Sequence, residues 1–107
     1  EIDNNDIIEA NEYLILVEQL TDVVISLEQQ ICQVEKTLNH LLADRGIPVT
    51  GNYKLMLLKL AAHDETSRKE IDDYNYLKSE KEINIYRLNK MKEKLMLKKK
   101  EMGIIPR

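Results

Sequence analysis

The chain contains no Trp and no Phe, and its five aromatic residues are all Tyr. A compact globular core usually leans on large rings, each burying a wide area, so such a core is not the expectation. Three Gly and two Pro are too few for a turn-rich β fold. The one cysteine, Cys32, cannot form an intrachain disulfide. A reducing, cytoplasmic setting is the simplest expectation, with an intermolecular bridge as the alternative. No apolar run approaches the ~20 residues that span a bilayer, and no signal-peptide pattern opens the chain. The first residue is Glu1, as in a processed or excised piece.

Charge of one sign is also missing locally. Residues 1–35 hold nine acids and no Lys or Arg. Residues 87–107 hold eight basic side chains against Glu93 and Glu101. The net charge of −3 hides this polarity. A third of the chain is charged, and Leu, Ile, Lys, Glu and Asn dominate the rest, a composition that suits long amphipathic helices.

What is present in force is a ladder. Tyr13, Val17, Leu20, Val24, Leu27, Ile31, Val34, Leu38 and Leu41 alternate at spacings of four and three. That pattern keeps one seam of a helix against a partner helix. The spacing predicts a first helix over about residues 7–44. Asp6 and Glu9 resemble a capping box at its start, and Gly46 with Pro48 marks its end. Leu14, Ile15, Leu16, Val23 and Ile25 put further apolar surface on other faces. A segment apolar on several sides needs burial on several sides.

Residues 45–52 read as the loop, with Asn52 as the cap of a second helix over about 53–102. Residues 53–62 are apolar nearly all round. A break near 63–67 is the alternative, because Ser67 and Glu70 resemble a second capping box. A continuous helix is the expectation, since no Gly or Pro forces a break. Its later stripe is Ile71, Tyr74, Leu77, Ile85, Leu88, Met91, Leu95 and Met102, interrupted by Lys81. Gly103, Ile104, Ile105 and Pro106 form a second stop signal.

The fold class is all-α. One domain over residues 1–107 is expected, a long antiparallel helical hairpin that dimerises into a four-helix bundle. A turn near Val49 places Leu41 by Leu57, Leu38 by Leu60, Leu27 by Ile71 and Tyr13 by Ile85 or Tyr86. Folding back lays the acidic half of the first helix beside the basic half of the second. Residues beyond about Lys92 then lack a partner and project.

The expected function is a non-enzymatic coiled-coil oligomerisation or scaffold module. Its partner is a second copy, with a dimer favoured, or another coiled-coil protein. Val17, Leu20, Val24, Leu27, Ile31, Leu38, Leu57 and Leu60 are the expected oligomer interface. The alternative is a nucleic-acid accessory protein whose basic helix end, Lys90, Lys92, Lys94, Lys98, Lys99 and Lys100, contacts phosphates. The same helix could lie on an anionic membrane surface. The plainer role for these lysines is to suit the negative end of the helix dipole and the acidic neighbouring helix. No cofactor or small-molecule substrate is implied. No metal site is expected at His40 or His63, and Ser26, Ser67 and Ser79 stand alone in the sequence.

Overall fold

The computed structural model describes residues 3–48 and 51–104, and all of its regular structure is helix. Helix α1 runs Asn4–Asp44, α2 runs Tyr53–Ala61 and α3 runs Glu65–Glu101. No strand occurs among the described residues. By contact the chain divides into two units. The first takes the residues up to Ser26 and from Lys81 onward. The second is Leu27–Glu80.

Helix α1 starts three residues before the expected position because Asp3, not Asp6, caps it. The Asn5 N–H donates to Asp3 Oδ1 at 3.0 Å, and the Asp6 N–H donates to the Asp3 carbonyl at 3.1 Å. One orphan donor of the first turn is thereby satisfied by the side chain. Asp6 and Glu9 are left for other work. The far end matches expectation. Gly46 has φ +68°, a left-handed conformation that costs Gly nothing. The Gly46 N–H donates to the Ala43 carbonyl and the Ile47 N–H to the Leu42 carbonyl, at 3.1 and 3.0 Å. This is the Schellman pattern, and Leu42 and Ile47 are both buried beside it. Gly103 repeats it at the end of α3, with bonds to the carbonyls of Lys100 and Lys99. The expected turn at Val49, and Ile105, Pro106 and Arg107, lie outside the described residues.

The second unit holds the larger core. Ile31, Leu38 and Leu42 of α1 meet Met56, Leu57 and Leu60 of α2 and Ile71 and Tyr74 of α3. Leu38 and Leu60 are fully buried. The Tyr53 and Tyr74 rings meet edge to face, with centroids 5.8 Å apart. Asn52 caps α2 as expected, accepting from the Leu55 N–H at 3.1 Å.

The expected continuous second helix is broken between Ala61 and Glu65. The cap of α3 is Asp64, not Ser67. Asp64 Oδ1 accepts from the Ser67 N–H at 2.7 Å, and Ser67 itself is buried. The Arg68 guanidinium bonds the Ala61 carbonyl at 2.8 Å, satisfying a terminal acceptor of α2. Arg45, just past α1, forms an ion pair with Asp64, with a second bond from Nε at 3.2 Å. Side chains thus stop and restart the helix without Gly or Pro.

The pairing differs from the expected register, and α2 contributes Met56, Leu57 and Leu60 to the core as a separate helix. In the second unit, Gln30, Gln33 and Val34 lie opposite Asp73, Tyr76 and Leu77. In the first unit, Leu16–Val23 lie opposite Tyr86–Met91, and Ile7–Leu14 lie opposite Leu95–Ile104. Within the first unit these two juxtapositions run in opposite chain directions. Tyr13, expected by Ile85 or Tyr86, instead shares Glu9 with Lys98.

Candidate functional site

All nine ladder residues of α1 are buried or half-buried, so the ladder faces inward as its spacing requires. Most of the expected oligomer-interface residues are thus packed within the chain itself. Leu38, Leu57, Leu60 and Ile31 fill the core of the second unit, and Val24 is buried in the first. Val17, Leu20 and Leu27 are half-buried. A side chain already covered by its own chain cannot supply much new buried area to a partner.

The partner helix in the first unit uses Asn84, Leu88, Met91, Leu95, Lys98 and Met102 on its inner face. Their spacing is four and three throughout, so Lys98 occupies a seam position. A lysine there keeps its stem along apolar surface and sends its head to the edge. Its Nζ sits 2.7 Å from Asp6 Oδ1 and 2.8 Å from Glu9 Oε2, and its side chain is only 12% exposed. Tyr13 Oη donates to Glu9 Oε1 at 2.7 Å. The two carboxylates raise the Lys98 pKa above that of an ordinary lysine. The bonds from Lys98 and Tyr13 hold Glu9 below the usual carboxylate range, and the bond to Glu9 pushes Tyr13 up.

The basic end therefore does not project past its partner, contrary to expectation. Asp6 and Glu9 neutralise Lys98 near the end of the run. Lys90 lies 3.7 Å from Glu93 and 5.4 Å from the centroid of the Tyr86 ring. Lys92 and Lys94 are exposed, and Lys99 and Lys100 are half-buried.

What the first unit does present is apolar surface. A groove of about 420 Å³ runs between the two helices, lined by Leu16, Leu20, Val23, Tyr86 and Met91, with Arg87 and Lys90 on its rim. Leu16 and Val23 are 40% and 42% exposed. On the outward side of α1, Ile8, Ile15 and Ile25 are 56%, 52% and 48% exposed. The surplus apolar character of residues 13–27 was visible in the sequence. Ile8 and the part of Tyr86 and Arg87 were not, because the register that brings 86–91 beside 16–23 differs from the one the loop position predicts. In the second unit, Leu55 and Leu58 are exposed beside a smaller groove lined by Leu57, Leu58, Ala61 and Ile71.

Among the described residues, no group of three His, Cys, Asp or Glu is placed to hold a metal ion. None of their helices is long and apolar enough to cross a membrane. No family model, no curated protein and no solved structure matches this chain.

Proposed function

We propose that this chain is a non-enzymatic helical-hairpin assembly module that self-associates through its first unit. The observation that carries this reading is the exposure of Ile15, Leu16, Val23 and Ile25 on a helix whose seam is already occupied within the chain. A helix apolar beyond one stripe is stable in water only when further faces are covered. Covering each half-exposed aliphatic side chain stabilises the assembly by roughly 1 kcal/mol. Several together offset the cost of association only over a standard-size interface of about 800 Å² per partner. The engagement of Lys98 by Asp6 and Glu9 weighs against a role for the basic end in phosphate binding.

Sedimentation equilibrium of the intact chain at low and high salt tests the reading. A mass above that of one chain at both salts is expected. Leu16→Asp/Val23→Asp lowers it to the monomer mass with helical circular dichroism retained. A wild-type chain that sediments as a monomer at high micromolar concentration overturns the proposal.

A further inference from the structure

Helix α1 carries a second stripe outside the seam. Ile8, Ile15, Glu18, Asp22 and Ile25 share one side, at spacings of seven, three, four and three. All five are exposed. The stripe is apolar at its anchors and acidic between them, on a segment with no Lys or Arg before Lys36. The groove of the same unit has the opposite rim. Its apolar lining is Leu16, Leu20, Val23, Tyr86 and Met91, and its charged residues, Arg87 and Lys90, are exposed.

We propose that the outer stripe of α1 in one copy docks into the groove between α1 and α3 in a second copy. The proposal rests on the self-association reading and names the surfaces that meet. Its argument is charge. Groove against groove sets Arg87 and Lys90 against their own copies. Stripe against stripe does the same to Glu18 and Asp22. Only stripe against groove joins acid to base while covering both apolar surfaces, and like charges brought together across an interface are strongly disfavoured. The stripe also has the anchor spacing of a helix that lies in an apolar groove.

A mixing experiment tests it. One variant damages the stripe, Ile8→Asp/Ile15→Asp, and the other reverses the rim, Arg87→Glu/Lys90→Glu. Both change exposed residues, and circular dichroism checks the helicity of each. Glu18→Lys/Asp22→Lys is a second stripe variant that leaves every apolar contact in place. Dye on Cys32, an exposed thiol in the other unit, reports complex formation by sedimentation velocity. Each variant alone loses self-association at least tenfold. A one-to-one mixture of the stripe and rim variants recovers a two-chain complex, because one intact groove meets one intact stripe. If the wild type associates but the mixture stays monomeric, or if either variant associates like the wild type, the docking mode is wrong and self-association stands. If the wild type itself is monomeric, both fail.

Discussion

Lys98 and Glu9 are held 2.8 Å apart across the first unit, and Asp6 shares the same ammonium at 2.7 Å. This clasp joins the acidic start of α1 to the basic end of α3. Its sign with pH follows from the carboxylate. Glu9 is depressed in the folded chain, chiefly by its bond from Lys98. Its contribution is therefore complete above the unfolded carboxylate pKa of ~4.3 and is lost as pH falls through the lower folded value. The raised Lys98 pKa keeps the ammonium charged throughout that range. Lys98→Met keeps the stem and removes the head. It lowers the melting temperature at pH 7 and reduces the loss of melting temperature between pH 7 and pH 3. Equal acid-side slopes in the two proteins would remove the clasp as the cause. Raising salt to ~1 M narrows the difference, since partly exposed charges are screened.

Asp64 does two jobs at the joint between α2 and α3. It caps α3 through the Ser67 N–H and pairs with Arg45. The Arg45 bond and then the bond from the Ser67 N–H hold its carboxyl well below the usual range. Its stabilising effect is thus present at neutral pH and fades in acid. Asp64→Asn retains a capping oxygen and loses the ion pair, whereas Asp64→Ala loses both. Melting temperatures measured at pH 7 should fall in the order wild type, Asp64→Asn, Asp64→Ala. Identical values for the two variants would mean the cap contributes nothing.

The two long helices were not equally legible in the sequence. On α1 all nine seam positions are apolar or Tyr, so a ladder from Tyr13 to Leu41 was visible and its inward face follows. On α3 the inner face includes Ser67, Asn84 and Lys98, which hydrophobic periodicity reads as interruptions. Lys98 belongs there only because Asp6 and Glu9 wait across the unit, and Asn84 likewise has a partner. The joint was obscure for a similar reason. Asp64 and Arg68 cost little inside a helix, so local propensity permits continuity. The bonds to Arg45 and the Ala61 carbonyl are tertiary and decide the matter. That break makes α2 a separate helix, whose Met56, Leu57 and Leu60 share the core with α1 and α3.

Leu60 has no exposed surface and belongs to a core shared by α1, α2 and α3. Leu60→Ala leaves a cavity where three helices meet. Substitutions of this kind cost about 2–5 kcal/mol. Urea unfolding should show a lower midpoint by that margin, while Leu58→Ala, at a side chain 69% exposed, changes it little. Similar midpoints for the two variants would contradict the placement of Leu60 in a shared core.

Tyr53 supplies the last test. Its ring packs edge to face on Tyr74, but its hydroxyl is buried without a hydrogen-bond partner. Burial pushes its pKa up, as expected for a phenol shielded from water. An unpaired buried hydroxyl costs about 1–3 kcal/mol of desolvation, and replacing it with a hydrogen removes that cost. The edge-to-face contact needs only the ring and survives in Phe. Tyr53→Phe should therefore leave stability unchanged or raise it, in contrast to the usual loss from core substitutions. Tyr53→Ala should lower it, because the ring itself covers the core beside Tyr74. Urea midpoints of the two variants decide between the ring and the hydroxyl. A drop in Tyr53→Phe would show that the hydroxyl has a stabilising partner.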